Sequence, residues 1–187
     1  MEEQFSALLE DGEHLLWCGR PEAFETLDKT NRGPILRGLA IKITIMLVSL
    51  ILYILTSHEA GVNTGLILGF LVLGAIIAVS PFFVARRLKN DTFYGLTERR
   101  ILRVGSNSGS VSYEIITVAS LKTDADGHTT LLCGPDMQKM KSSKWRVYSD
   151  AGFLVDTESG ICDRAVLYAL PKDKKLAELL YRYLPLS

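Results

Sequence analysis

The chain has 187 residues, 48% of them hydrophobic, with 21 basic and 21 acidic side chains and a formal net charge of zero. That length holds about one globular domain and something more. The even charge conceals three unlike parts: residues 1–34 carry 3 basic and 8 acidic groups, residues 35–85 carry 2 and 1, and residues 86–187 carry 16 and 12, an excess of four that is too modest for a surface built to track nucleic-acid phosphates.

The acidic head, residues 1–34, holds Phe5, Leu8 and Leu9, which fit one short amphipathic turn, followed by Leu15, Leu16 and Trp17. Trp17 is expected to pack on the folded tail, because Glu10, Asp11 and Glu13 would be repelled by anionic lipid and would complement the basic tail. Two apolar runs follow. Residues 35–56 and 65–87 are each long enough to cross hydrocarbon at about 1.5 Å per residue, and Gly65–Ala85 has no charge at all. Lys42 is the one charge inside Gly38–Leu55 and lies close enough to one end to snorkel. A soluble helical hairpin would show a polar stripe, and these runs are apolar all round. A cleaved signal would follow a short positive start rather than an acidic head.

Lys29, Arg32, Arg37 and Lys42 flank the first run, and Arg86, Arg87 and Lys89 follow the second. The loop between them, residues 57–64, has no Lys or Arg, so the positive-inside rule places it outside and both termini in the cytoplasm of a cell (inner) membrane. Gly61, Gly65 and Gly69 recur every four residues, a face of small side chains suited either to a homo-oligomer or to packing on the first run.

After Arg87 the composition turns to β-branched and aromatic runs broken by turns. Strands are expected over Thr92–Leu96, Ile101–Val104, Val111–Val118, Thr129–Cys133, Trp145–Tyr148 and Phe153–Val155. Ile161–Leu170 fits a strand or a helix. Pro171 suits a first helical turn, and Leu176, Leu179, Leu180 and Tyr183 share one helical face. The fold class is therefore a membrane protein, a two-helix hairpin with a mostly-β domain over residues 90–187, antiparallel because its connections are short.

Gly12-Glu13-His14-Leu15-Leu16-Trp17-Cys18-Gly19-Arg20-Pro21, the pair of apolar runs, and Tyr94-Gly95-Leu96-Thr97-Glu98-Arg99-Arg100-Ile101-Leu102 occur in that order. The opening and the second motif resemble those of the bacterial PH-domain membrane proteins. The resemblance implies a PH-like fold, with two curved antiparallel sheets closed at one end by the C-terminal helix. It implies little about activity, and the stretch from Asp156 to Leu170 departs from the family's shorter exit.

Two basic groups stand out as contacts for membrane lipids or a protein partner. One is Arg86, Arg87 and Lys89 with Arg99 and Arg100, either of which is alternatively paired to Glu114 or Asp91 across the hairpin. The other is Lys139, Lys141, Lys144 and Arg146 with Trp145, alternatively a solvated hairpin tip whose Trp145 points into the core. Each such charge near an anionic surface is worth about 1 kcal/mol. Cys18, Cys133 and Cys162 stand singly, and His14, His58 and His128 have no ligand at metal spacing. Gly105-Ser106-Asn107-Ser108-Gly109 is followed by no Lys and reads as a flexible turn. No nucleophile elbow is present. The sequence therefore points to a non-catalytic, cofactor-free membrane-anchored interaction module for a protein, a peptide or anionic headgroups. The alternative is a subunit of a membrane enzyme or transporter complex.

Overall fold

The computed structural model describes residues 2–57, 61, 63–105, 107–156 and 160–186. Parts of the expected outer loop (58–60 and 62, with His58), of the Gly105–Ser110 turn (106) and of the stretch after Val155 (157–159) lie outside the described residues.

Two long helices carry the apolar runs. The first, α1, spans Lys29–Thr56, and the second, α2, spans Thr64–Asn90. At about 1.5 Å per residue both exceed the roughly 30 Å of a hydrocarbon core. Helix α1 starts six residues before the apolar run does. Asp28 caps it, accepting from the Asn31 N–H, and Pro34, in its second turn, leaves the Thr30 carbonyl without the usual helical donor. Asn63 caps α2 by accepting from the Gly65 N–H. Both helices are long and apolar enough to cross a membrane, and only 0% and 6% of their most apolar windows are buried. A core helix of a soluble protein would be mostly covered.

The β domain begins before these helices. Strand β1, Leu15–Gly19, pairs antiparallel with β2, Phe93–Thr97, placing Trp17 opposite Leu96. Strands β3 (Arg100–Val104) and β4 (Gly109–Ser112) complete a four-stranded sheet in the order β1-β2-β3-β4. The second sheet holds β5 (Ala119–Thr123), β6 (Thr129–Cys133), β7 (Phe153–Val155) and β8 (Cys162–Leu170), in the order β5-β6-β8-β7. Between β6 and β7 the chain forms helix α3, Ser142–Ala151, and after β8 helix α4, Lys174–Tyr183, caps the domain.

Two expectations are corrected. Trp145–Tyr148 is not a strand but part of α3, where Trp145, Arg146, Ser149 and Asp150 form one buried face at helical spacing. Val111–Val118 is not one strand either. Tyr113 donates its N–H to Arg99 O, and the Ile115 and Ile116 N–H groups turn back onto Ser112 and Tyr113, which ends β4 and frees the chain to begin β5 in the other sheet.

Leu131, Cys133, Ala165 and Leu167 point between the sheets, with Trp17, Leu96, Ile101 and, from α4, Leu176 and Leu180. Leu132, Val166 and Tyr168 point from the other face of the second sheet onto Ala85 and Leu88 of α2 and Trp145 of α3. From Ala165 onward strand β8 is thus buried on both faces, and its sequence there is a continuous apolar run without alternation. At Ala169 (φ 54°) the register shifts, and Leu170 returns to the first core.

Candidate functional site

The place where the long helices meet the β domain is built from ion pairs and caps. The turn between β5 and β6 brings Asp126 to the start of α1, where its carboxylate accepts from the Lys29 and Thr30 N–H groups at 3.0 and 2.8 Å and from the Thr30 hydroxyl at 2.6 Å. The Thr30 hydroxyl, then the backbone donors, hold the Asp126 carboxyl below its usual range. From α3, Arg146 reaches inward to the carboxylate of Asp28, donates to Thr26 O at 3.0 Å and to the Tyr168 hydroxyl at 3.2 Å, and lies over the ring of Phe24 at 4.4 Å. Tyr168 in turn donates to Asp124 at 3.1 Å. Burial pushes the Tyr168 phenol well above its ordinary value, so it is a neutral donor here.

A second cluster fixes the end of the β1-β2-β3 sheet. Arg100 bonds Glu13 through Nε (3.0 Å) and Nη2 (2.6 Å) and pairs with Glu10 at 2.9 Å. Those bonds pull the Glu13 carboxyl down to about 2, and Thr97 adds a hydroxyl at 2.6 Å. The pairing expected of Arg100 is present, with partners from the acidic head instead of Glu114 or Asp91. Trp17 packs between the sheets, and its indole N–H donates to Asp173 at 2.7 Å.

The remaining basic residues divide by surroundings. Trp145 and Arg146 are each 3% exposed and engaged inside the protein. Lys139 is exposed and pairs with Asp136 at 2.7 Å. Arg86, Arg87, Lys89, Arg99, Lys141 and Lys144 are exposed. Arg86, Arg87 and Lys89 lie on the last turns of α2 beside the start of α1, with Lys89 facing the same hollow as Lys29.

Of the glycines, Gly74 alone of this run meets α1: a Cβ there would lie 2.6 Å from Met46 Sδ. At Gly61 and Gly69 an added Cβ would meet nothing within 4 Å, and at Gly65 only the Asn63 side chain. Close approach to α1 is therefore made at Gly74 and not at Gly65 or Gly69.

An open groove of about 450 Å³ runs between α1, α2 and α3, lined by apolar side chains from the long helices and by Lys42 and Lys144. Sequence reasoning passed over Phe24, Asp28, Asp126 and Tyr168. Only Asp28 left a local signal, an Asp directly before a helix start; Asp126 and Tyr168 are brought to the site by the second sheet, across about a hundred residues of chain or more, and Phe24 is fixed there by Arg146 and Tyr168. Among the described residues, no group of three or more His, Cys, Asp or Glu is placed to hold a metal ion. Compared with protein-family models, curated proteins and solved structures, the chain matches none.

Proposed function

We propose that this chain is a non-catalytic, membrane-anchored interaction module: α1 and α2 cross the bilayer as a hairpin, both termini face the cytoplasm, and the PH-like β domain is held against anionic headgroups of the inner leaflet. The observation that carries this reading is the contrast in packing along α1 and α2. Their apolar lengths are uncovered, whereas their ends beside the β domain are fastened to it by Asp28, Asp126, Ala85 and Leu88. Uncovered Leu, Ile, Val and Phe over some 20 residues on two adjacent helices suit a nonaqueous solvent better than water.

The layout agrees with the resemblance to bacterial PH-domain membrane proteins: two sheets, a closing C-terminal helix and the paired apolar helices. The charges support the assigned orientation. Arg86, Arg87 and Lys89, with Lys29, Arg32 and Arg37, are exposed at one end of the hairpin and form a basic collar next to the β domain. The strongly perturbed carboxylate, Glu13, is occupied in a structural pair rather than set in a cleft with a second reactive group.

Alkaline carbonate extraction of membranes, with reporters fused to each terminus, tests the anchoring. Retention with both reporters in the cytoplasm is expected; release, or a reporter outside, overturns it. Purification in mild detergent with mass spectrometry of bound lipid and protein tests the partner. Anionic lipid lost on neutralising Arg86, Arg87 and Lys89 supports the headgroup reading, and a protein partner retained through those changes overturns it.

A further inference from the structure

We infer that the groove between α1, α2 and α3 is a site for one anionic glycerophospholipid, its phosphate between the ammonium groups of Lys42 and Lys144 and its chains along α1 and α2. The inference rests on the membrane-anchored reading above and adds to it a bound ligand at a defined place.

The chemistry of the walls is divided as a phospholipid is. Ile35 and Leu39 of α1 with Pro81 and Val84 of α2 offer an apolar lining, and Ser143 and Lys144 of α3 close the groove toward the β domain. No Asp or Glu lines it. Neither Lys42 nor Lys144 is in an ion pair among the described residues. The third cation of the lining, Arg146, is already matched by Asp28, so two lysine charges are left over in a groove without carboxylates. Helix α3 also opens there without a side-chain cap, as Lys141 at its N-cap supplies none. The positive end of its dipole adds to the same field.

The depth fits as well. Lys42 stands five residues past Arg37, the charge that precedes it on α1, or about 7.5 Å along the helix. Val84 stands two residues before Arg86, about 3 Å from the other boundary. The groove therefore straddles the level where hydrocarbon gives way to headgroups, and basic recesses between membrane helices on this side are suited to anionic lipid. A zwitterionic lipid has the same chains and a cancelling choline, so it gains the apolar contact without the charge. A lysine set inside an apolar run is costly unless its ammonium reaches an anion or water. A lipid phosphate supplies the anion.

The test titrates the purified full-length protein, in an uncharged detergent, with phosphatidylglycerol or phosphatidylcholine and reads adducts of the intact protein by native mass spectrometry. One phosphatidylglycerol retained in preference to phosphatidylcholine is expected. Lys42→Gln with Lys144→Gln should weaken it about thirtyfold, two charges at about 1 kcal/mol each. Ser143→Glu should also weaken it while leaving α3 intact, since an acidic residue in a first turn is favourable. Lys174→Gln with Lys175→Gln, the same charge change on α4, should leave it unchanged. Equal retention of both lipids, or equal loss in the α4 control, overturns the site. If carbonate releases the protein from membranes, the anchoring reading falls and the site with it. If the protein stays and phosphatidylglycerol is not preferred, the site alone falls.

Discussion

At the scale of single residues, the charges that sequence reading marks for the surface are sorted by whether an acid from a distant part of the chain reaches them. Arg146 sits in a basic run, Lys144-Trp145-Arg146, yet is buried because Asp28 arrives from more than a hundred residues away. Removing one partner of a buried pair strands the other charge, which costs about 3–5 kcal/mol. Arg146→Ala is therefore expected to lower the thermal midpoint of the β domain sharply, and a circular-dichroism melt within a degree of wild type would contradict the pairing. Arg100 and Glu13 make a pH prediction. The Glu13 carboxyl is depressed from 4.5 to about 2 by Arg100, so the unfolded chain takes up its proton first as pH falls. Its stabilising contribution is complete above about pH 4.5 and is lost as pH falls toward 2. Glu13→Gln should flatten the stability profile in that window and leave its shape above pH 6 unchanged, as read by urea denaturation at a series of pH values.

At the scale of elements, some boundaries were plain in the sequence and others depended on partners far along the chain. Residues 129–133 and 153–155 form strands where the β-branched and aromatic runs place them, and Leu176, Leu179, Leu180 and Tyr183 lie in a helix as their spacing requires. Trp145–Tyr148 reads as a strand because Trp, Val and Tyr favour one locally. It becomes helical because only a helix turns Trp145, Arg146, Ser149 and Asp150 together toward Tyr168, Asp28 and the end of α2. Strand β1 was illegible for a related reason: five residues cannot announce a partner that begins 74 positions later. The candidate site was half legible. The collar of Arg86, Arg87 and Lys89 follows from hydropathy alone, whereas the Asp126 cap on α1 exists only once β5 and β6 have folded. Asp126→Ala should leave the sheets intact and raise amide hydrogen exchange at Lys29 and Thr30 specifically; unchanged exchange there would show that the cap does not hold the helix start. Gly134 tests the turn after β6. It has φ 101°, and a Cβ would lie 2.5 Å from the Asp163 carbonyl oxygen, a backbone atom that cannot swing aside. Gly134→Ala should destabilise by about 1–3 kcal/mol, measurable as a lowered denaturation midpoint, while Gly69→Ala, with open space around it, should not.

At the scale of the whole molecule, the order of the chain couples the β domain to the helical hairpin. Strand β1 enters the first sheet, the chain departs through α1 and α2, and it returns as β2 alongside β1. The hairpin is thus inserted into a sheet instead of being hung from its end. Two consequences follow from the packing. First, the stretch from Asn90 onward lacks pieces of every core: Trp17 is missing from the space between the sheets, Phe5 from the outer face against Phe93 and Leu102, and Phe24, Ala85 and Leu88 from the face that meets α3. Second, Glu13 is missing from Arg100 and Asp28 from Arg146, which leaves two guanidinium groups without their carboxylates. A fragment of residues 90–187 is therefore expected to be collapsed but not cooperatively folded, with bound hydrophobic dye and poorly dispersed amide resonances. Adding residues 1–28 as a separate peptide should restore β1, Trp17, Glu13 and Asp28 together and recover a cooperative transition, since a strand can rejoin a sheet edge by backbone pairing. A 90–187 fragment that melts cooperatively on its own would show that β1 decorates the domain. Rescue by the peptide would show that the domain is completed by chain on both sides of the hairpin, so that any displacement of α1 relative to α2 bears directly on the sheet.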